Sequence, residues 1–168
     1  ILDTRKTIPG LRLLQKYAVA AGGGQNHRLG LYDAVLIKTN HLKAMGQGAG
    51  DRGRGKTALI KQAVARAKRH GRGRFIEIEV TNLSEVKAAL AARPHAILLD
   101  NWSLSSIRKA VRLRSAAPRA PGPAPLLEVS GGVTLQNVRA IAKAGVDRIS
   151  IGRLTHSAPA LDVSLEVL

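Results

Sequence analysis

The sequence predicts an incomplete parallel α/β barrel, and three observations lead to this prediction. Short β-branched or leucine-rich runs alternate with segments whose apolar residues recur at helical spacing, which is typical of parallel strands joined by crossover helices. The chain has 168 residues, whereas a complete eight-unit barrel usually takes about 250. Five strand runs are clear and a sixth is doubtful, so we expect about six strands of a TIM-like barrel in a single domain, residues 1–168.

The elements follow from apolar periodicity and from the residues that end it. Strands are predicted at 34–37, 75–80, 96–99, 126–129 and 148–151, with residues 1–4 as the doubtful sixth. Helices are predicted from Pro9 to the glycines at 22–24, and at 57–70, 84–92, 103–114 and 134–144. The glycine-rich stretch 46–55 and the proline-rich stretch 116–125 are predicted to be surface loops.

The composition excludes several classes of protein. No apolar run reaches the roughly 18 residues that cross a bilayer, and residues 1–6 lack the apolar core of a secretory signal. A soluble, cytoplasmic protein is therefore expected. Without cysteine, the chain has no disulfide, no thiolate zinc site and no cysteine nucleophile. The formal net charge of +16 favours anionic substrates or partners.

Two basic stretches leave a nucleic-acid-binding module open as an alternative. Residues 52–74 hold nine Lys or Arg and residues 101–127 hold five, and neither stretch contains an acid. Modules that bind single strands usually add aromatic side chains that stack on bases, yet only 2% of the residues are aromatic. In the predicted helix 57–70 the cations fall between the apolar residues, which favours a solvated outer helix face.

The segment 50–57 matches the phosphate-binding loop pattern G-x-x-x-x-G-K-[ST], and a predicted helix follows it. Such a loop needs a strand that runs directly into its first glycine, because strand and helix together hold the backbone amides. Residues 46–49 have no strand character. Nucleotide binding through Lys56 therefore stays a second alternative rather than the main prediction.

Polar residues recur where the predicted strands end. They are Lys38, Glu79, Asp100, Ser130 and Gly152. The carboxyl ends of the strands of a parallel barrel converge on one mouth, where these folds assemble their active sites. By two-residue parity Glu77 shares a strand face with Glu79, and Glu128 with Ser130, so these side chains can point inward together.

Two glycine turns and a group of cations predict what this mouth binds. Ser130-Gly131-Gly132 joins a strand to a predicted helix that Thr134 would cap, and such a turn suits a phosphate. Gly152-Arg153 after the next strand would form a second wall. Cations that could grip a small polyanion occur at 5–6, 27–28 and 38. The other histidines His41, His70 and His95 are predicted to be surface or structural residues.

A series of motifs in one order extends this prediction to the whole chain. The series is DTRKT at 3–7, PGLR at 9–12, KYAV at 16–19, GGG at 22–24, NHRLGL at 26–31, IK at 37–38, NH at 40–41, EIEV at 77–80, LLDN at 98–101, SGG at 130–132 and LTHS at 154–157. In these motifs the sequence resembles the quinolinate phosphoribosyltransferase family, also called nicotinate-nucleotide pyrophosphorylase (carboxylating).

The resemblance implies a magnesium-dependent reaction of de novo NAD biosynthesis. Quinolinate would take the phosphoribosyl group of phosphoribosyl pyrophosphate and lose a carboxylate, giving nicotinate mononucleotide, carbon dioxide and pyrophosphate. Implied quinolinate-binding residues are Thr4, Arg5, Lys6, His27, Arg28 and Lys38. Implied phosphoribosyl-binding residues are Glu79, Asp100, Ser130, Gly131, Gly132, Gly152, Arg153 and Leu154. Glu79 and Asp100 would also hold magnesium, and Lys6, Lys38, Glu79 and Asp100 would be catalytic.

The sequence departs from the family pattern in a few places. Thr39 stands where the family usually has aspartate, Arg153 where it has a small residue, and the basic residues 46–54 are not typical. The resemblance also implies a further N-terminal domain and a homodimer or higher homo-oligomer, in which a partner subunit sends an arginine into the site. We therefore expect residues 1–168 to be a fragment with little activity alone.

Overall fold

A computed structural model describes residues 1–47, 55–118 and 121–167 as an α/β structure with one open sheet. The strands are β1 (Val35–Ile37), β2 (Ile76–Val80), β3 (Ala96–Asp100), β4 (Leu126–Ser130) and β5 (Arg148–Ile149). They lie side by side in chain order, and each neighbouring pair is parallel. The predicted incomplete parallel α/β architecture is confirmed, and each predicted strand lies within two residues of an observed one.

Helices connect these strands. They are α1 (Arg12–Ala21), α2 (Thr39–Gln47), α3 (Lys56–His70), α4 (Leu83–Ala92), α5 (Leu104–Ser115), α6 (Val138–Lys143) and α7 (Arg153–His156). Helices α3 and α5 carry nine of the fourteen cations of the two basic stretches, and seven of these nine are exposed on the outward faces, as the amphipathic pattern predicts, while Leu59, Ile60 and Ile107 are buried on the inner faces. None of the helices in the described residues is long and apolar enough to cross a membrane.

The doubtful sixth strand is present as a short extension of the sheet beyond β5. The Leu2 N–H donates to the Ile149 carbonyl at 2.8 Å, and the Ile151 N–H donates to the Leu2 carbonyl at 2.9 Å. On its other side Leu2 forms a parallel bridge with Gln25. Residues 1–3 and the segment after α1 are thereby held beside the last strand, next to the strand ends.

The central strands have one apolar and one polar face. In β2 the side chains of Ile76, Ile78 and Val80 are buried in the core between sheet and helices, whereas Glu77 and Glu79 point to the opposite face. Strands β4 and β5 alternate in the same way, whereas the second face of β3 is mixed, since it carries Leu98 as well as Asp100. Because the strands are parallel and in register, their polar faces combine into one surface.

The structure differs from the prediction at 46–55, where Gly46 and Gln47 form the end of helix α2 rather than a loop. A Cβ at Gly46 would lie 3.2 Å from the Leu59 Cδ1 atom, so a glycine here allows α2 to approach α3 closely. Only Leu42 is buried in this helix, which left little apolar periodicity to predict it from. Residues 48–54, which include the start of the phosphate-loop pattern, lie outside the described residues.

Two other helix boundaries and one strand boundary need correction. Helix α1 begins at Arg12, because Pro9 and Gly10 form a turn in which Gly10 has a φ of +78°. Helix α6 begins at Val138 rather than 134, because the Asn137 side chain accepts the Thr134 N–H and so closes a separate turn. The predicted strand residues 150–151 fall outside β5, and the short helix α7 was not predicted.

Ile78 provides a test of the core on the apolar face of the sheet. Its side chain is fully buried, so Ile78→Ala should lower the free energy of unfolding by about 2 to 5 kcal/mol, through lost burial and the remaining cavity. Leu135 is 90% exposed, and Leu135→Ala should change the value by about 0.5 kcal/mol or less. Urea unfolding of both variants measures the difference, and equal values would show that the sheet is not packed as described.

Candidate active site

A cavity of about 560 Å³ opens at the carboxyl ends of the strands. Its wall includes Lys38 after β1, Glu79 near the end of β2, and the final residues Asp100 of β3 and Ser130 of β4. The segments 4–6, 27–28 and 150–153 complete the wall. The strand-end residues that the sequence singled out therefore face one space.

The cavity brings together the predicted site residues with one exception. Lining residues that were predicted are Thr4, Arg5, Lys6, His27, Arg28, Lys38, Glu79, Asp100, Ser130, Gly131, Gly132, Gly152 and Arg153. Leu154 is not among the lining residues, because it follows Arg153 into helix α7 and its side chain is turned toward solvent. Its predicted contact with phosphate stays a prediction.

Several lining residues were not predicted as site residues. They are Leu36, Leu98, Asn101, Glu128, Val133, Thr134, Ser150, Ile151 and His156. Strand parity was the available signal for Leu36, Leu98 and Ser150, because each lies two residues before a predicted site residue on its strand. Asn101 lies in the turn after β3 and His156 at the end of helix α7, where strand parity gives no direction.

Two guanidinium groups form the cationic part of the cavity. The Arg28 side chain donates to the Ala34 carbonyl at 2.9 Å. Burial and the nearby Arg5 charge hold the pKa of Arg28 below its usual range. The Arg5 Nε atom is buried and has no hydrogen-bond partner. Two like charges in a partly buried wall, one with an unused donor, are stabilised when an anion lies between them.

The loop that carries Arg5 and Lys6 is fixed by hydrogen bonds to its backbone. The buried Thr155 hydroxyl donates to the Lys6 carbonyl at 2.6 Å. Arg12 donates to the Arg5 carbonyl at 3.2 Å and to the Thr7 hydroxyl at 3.1 Å. The loop therefore presents its two cations to the cavity from a fixed backbone, and Lys6 is exposed and free to follow a ligand.

Two carboxylates also line the cavity, on the neighbouring strands β2 and β3. The Thr39 hydroxyl donates to Glu79 Oε1 at 3.1 Å, and the Asn101 amide donates to Asp100 Oδ2 at 3.0 Å. Burial and the Glu79 charge raise the pKa of Asp100, while Lys6 and Lys38 act in the opposite direction. A pair of carboxylates that repel each other suits sugar hydroxyls or a divalent cation.

The turn after β4 has a backbone conformation that favours glycine. Gly131 has a φ of +84° and Gly132 a φ of +60°. A Cβ at Gly131 would also lie 2.3 Å from the Asn101 Oδ1 atom. Without side chains, the backbone amides of this turn are open to a ligand, as expected for a phosphate-binding turn.

A buried group of charges lies beneath the cavity. His27 Nε2 is 3.0 Å from Glu77 Oε2 and 3.3 Å from Glu128 Oε1, and both glutamates are almost completely buried. Arg148 Nε lies 2.7 Å from Glu128 Oε2. The sequence predicted that both glutamates point inward, but it gave no indication that they meet His27.

The His27 ring is engaged on both sides. Its Nδ1 atom accepts the backbone N–H of Arg28 at 2.8 Å, which requires the ring proton on Nε2. Burial disfavours a charged ring, while the hydrogen bonds and charges of Glu128 and Glu77 raise the pKa of His27 above its usual range. A second proton would have to enter on Nδ1, toward which the Arg28 N–H already points, so this contact opposes the charged ring and keeps the proton on Nε2.

Lys56, the lysine of the phosphate-loop pattern, contacts residues at the start of α4. Its Nζ atom lies 2.7 Å from Glu85 Oε1 and donates to the Thr81 hydroxyl at 3.1 Å. Glu85 is buried and also accepts the Thr81 N–H, while the Asn82 side chain caps the helix. Lys56 is thus part of a helix cap, and this contact weighs against the P-loop interpretation.

The comparisons with known proteins identify the family. Residues 1–166 match the family model described as "Quinolinate phosphoribosyl transferase, C-terminal domain". The chain belongs to this family. The resemblance that the motifs indicated is therefore confirmed over nearly the whole chain.

Curated relatives of this family are similar along the full chain. The nicotinate-nucleotide pyrophosphorylase [carboxylating] of Mycobacterium leprae is 44% identical over 167 residues, which cover 99% of this chain and 53% of the relative. The probable enzyme of Bacillus subtilis is 40% identical over 168 residues, 99% of this chain and 52% of the relative. The chain spans about half the length of the curated relatives it matches.

Solved structures of the family have the same fold. The nicotinate-nucleotide pyrophosphorylase of Francisella tularensis superposes with a TM-score of 0.79 at 44% identity, over 97% of this chain and 51% of that one. NadC of Streptococcus pyogenes gives a TM-score of 0.82 at 36% identity, over 99% of this chain and 52% of that one.

The contact between Lys56 and Glu85 predicts a pH-dependent loss of stability. Burial would raise the pKa of Glu85, but the bonds from Lys56 and Thr81 outweigh it and the pKa lies below 4.5. The ion pair therefore stabilises the fold above pH 4.5, and the effect is lost as the pH falls through the lowered pKa. Lys56→Ala should cost about 1 kcal/mol at pH 7 and less below pH 4.

Urea unfolding between pH 3.5 and 8 measures this effect, with Lys61→Ala on the exposed face of α3 as the matched control. Turnover of Lys56→Ala should stay within about twofold of the wild type, because the residue lies away from the cavity. A severe loss of turnover in a folded variant would return the P-loop interpretation to consideration.

Proposed function

We propose that the full-length protein carrying this chain is a quinolinate phosphoribosyltransferase. It transfers the phosphoribosyl group of phosphoribosyl pyrophosphate to quinolinate with decarboxylation, and it releases nicotinate mononucleotide, carbon dioxide and pyrophosphate. The single observation that carries the proposal is one cavity in which two guanidinium groups face two strand-end carboxylates. The names of the curated relatives, nicotinate-nucleotide pyrophosphorylase [carboxylating], support it.

The cationic side of the cavity suits a ligand with two adjacent carboxylates. Arg5 and Arg28 each offer a planar fork of donors that matches a carboxylate, and Lys6 and Lys38 add mobile charges at the entrance. The unused Nε donor of Arg5 is a point where such a ligand gains a hydrogen bond. Both ring nitrogens of His27 already have partners, so in this arrangement it stabilises the carboxylate-binding wall from beneath the cavity.

The acidic side suits the sugar and the leaving group. The ring nitrogen of quinolinate attacks the anomeric carbon, the carbon–oxygen bond to pyrophosphate breaks, and positive charge develops on the ribose. Glu79 and Asp100 lie where negative charge would stabilise that ribose and accept its hydroxyl groups. The new bond makes the ring nitrogen cationic, so the ring accepts the electron pair when a carboxylate leaves as carbon dioxide and a proton replaces it.

The donor set also fits the magnesium that the family resemblance implies. The two carboxylates are partly exposed in the cavity wall. Burial and the Glu79 charge raise the pKa of Asp100, and a cation bound beside the two carboxylates would reduce their repulsion. When bound with pyrophosphate, magnesium would neutralise charge on the leaving group. The Gly131-Gly132 turn and the backbone at Gly152 and Arg153 would bind the 5′-phosphate through their amides.

We also propose a homodimer or higher homo-oligomer for the full-length protein. Apolar and aromatic side chains of α1 and the following loop are about two-thirds or more exposed in this chain: Leu13, Leu14, Tyr17, Leu31 and Tyr32. An exposed cluster of this kind is typical of a surface that another part of the protein or a second subunit covers.

The lack of cysteine fits the cytoplasmic location that the sequence predicts.

The direct test of the reaction is an assay of the full-length protein with quinolinate, phosphoribosyl pyrophosphate and magnesium. Pyrophosphate and carbon dioxide should appear in equal amounts, and only when both substrates are present. Parallel samples with ATP alone test the P-loop alternative. Release of pyrophosphate with nicotinate but not with quinolinate would assign a different phosphoribosyl transfer to the cavity.

Arg28→Ala tests the carboxylate grip. The substitution removes a charge-assisted hydrogen bond, which should weaken quinolinate binding at least about tenfold. Isothermal titration calorimetry of the full-length protein measures the affinity, and Arg69→Ala on the exposed face of α3 serves as the matched control. Unchanged affinity in Arg28→Ala would remove this residue from the site.

Asp100→Asn tests the separation of roles across the cavity. The amide keeps the shape of the side chain and removes its charge, so kcat should fall at least about tenfold through lost stabilisation of the ribose charge. The dissociation constant for quinolinate should stay within about threefold, because the ring lies on the cationic side. Full turnover at limiting magnesium would contradict the assignment.

A further inference from the structure

The buried group beneath the cavity, His27 with Glu77 and Glu128, has no step of the proposed reaction assigned to it. Burying two carboxylates nevertheless costs free energy. Glu77 is 1% exposed and Glu128 is 0% exposed, and both approach the same nitrogen of His27. Carboxylates in such an environment normally have complete sets of hydrogen bonds. Here Glu77 Oε1 has no hydrogen-bond partner, and Glu128 is held by its charge contacts with Arg148 and His27. A purely structural arrangement gains little from this combination.

Through His27, this group is connected to the residue that grips the ligand. Glu77 and Glu128 occupy the Nε2 side of the ring, which leaves Nδ1 to accept the backbone N–H of Arg28. On the same segment Asp3 accepts the His27 N–H at 2.7 Å, and Lys16 donates to the carbonyls of both residues. The orientation of the ring therefore helps to set the backbone from which Arg28 extends.

We propose that Glu77 and Glu128 are positioning residues for dicarboxylate binding: they orient the His27 ring, and the ring fixes the backbone of Arg28 in the cavity wall. This inference rests on the proposed function, because it assigns Arg28 to the carboxylate grip. It places two almost completely buried glutamates in control of the affinity for one of the two substrates.

A divalent cation is the main competing interpretation of the same atoms. One ligand atom from each of His27, Glu77 and Glu128 lies within 4.8 Å of the other two, a spacing that could hold an ion. Ligation through Nε2 would move the ring proton to Nδ1, where it would meet the Arg28 N–H. The guanidinium of Arg148, 2.7 Å from Glu128 Oε2, would also repel the ion. Both contacts favour the positioning role.

The experiment compares two variants of Glu77 in the full-length protein. Glu77→Leu removes the acceptor at a similar side-chain volume, and KM for quinolinate should rise at least about fivefold while KM for phosphoribosyl pyrophosphate stays within about twofold. Glu77→Gln keeps an acceptor for Nε2–H, so it should restore KM for quinolinate to within about twofold. This rescue separates an effect of ring orientation from an effect of charge.

Glu85→Leu is the matched control, because Glu85 is another buried glutamate but belongs to the cap of α4. It should lower the melting temperature and leave both KM values within about twofold. Equal changes in both KM values for Glu77→Leu, or a lower melting temperature alone, would reduce Glu77 to a structural residue and overturn the proposal. Stabilisation of the wild type by manganese or zinc that Glu77→Gln abolishes would identify a cation site instead.

A second measurement applies even if Glu77→Leu does not fold or the wild type shows no turnover. Nitrogen-15 spectra of His27 in the wild-type protein should show a protonated Nε2 and a hydrogen-bonded, unprotonated Nδ1 at neutral pH. Phthalate, an analogue with two adjacent carboxylates, should leave these signals nearly unchanged while it binds. A protonated Nδ1 would overturn the positioning role directly, whereas a missing reaction with correct ring signals would contradict only the proposed function.

Charged groups around the ring come from several elements. Glu77 of β2 and Glu128 of β4 raise the pKa of the ring, Arg148 of β5 contacts Glu128, and Lys16 of α1 and Asp3 contact the His27 backbone. The spectra are therefore also compared between wild type and Glu77→Leu, which removes the acceptor, at one pH, which holds these other groups constant. Identical His27 signals in the two proteins would contradict control of the ring by Glu77.

Discussion

The two-residue alternation along the parallel strands is the constraint on which the rest of the structure depends. Ile78 and Glu79 are neighbours in β2, yet one is enclosed between the sheet and the helices and the other lines the cavity. Because parallel strands end at the same edge, the same alternation in β3 and β4 places Asp100 beside Ser130. A register slip of one residue would exchange the two faces and remove the core and the cavity together.

Much of the fold and of the cavity wall could be predicted from the sequence, because both follow from local pattern. The run Ile97-Leu98-Leu99 predicts a buried strand, and the acid after it predicts the side of the sheet on which a site lies. Parallel topology then brings distant strand ends together without further information. The two glycines after β4 were equally informative, since the positive φ of Gly131 and its closeness to the Asn101 side chain favour glycine over any other residue.

The parts that were missed depend on contacts between residues far apart in sequence. His27 is 50 residues from Glu77 and still further from Glu128, so no spacing rule connects them. Helix α2 was missed because only one of its side chains is buried, and α6 was drawn too long because Asn137 closes a turn that looks like a helix start. In each case a tertiary contact or one side-chain hydrogen bond outweighed the local pattern.

The central claim is that the cationic wall of this cavity is built for two adjacent carboxylates. Equilibrium binding of quinolinate and of nicotinate, which has one carboxylate, tests it in the full-length protein under identical salt and pH. Nicotinate cannot form the charge-assisted hydrogen bonds of the second carboxylate, and each such bond strengthens binding about tenfold or more. Quinolinate should therefore bind at least that much tighter than nicotinate. Equal affinity for the two ligands would contradict a dicarboxylate grip by Arg5 and Arg28.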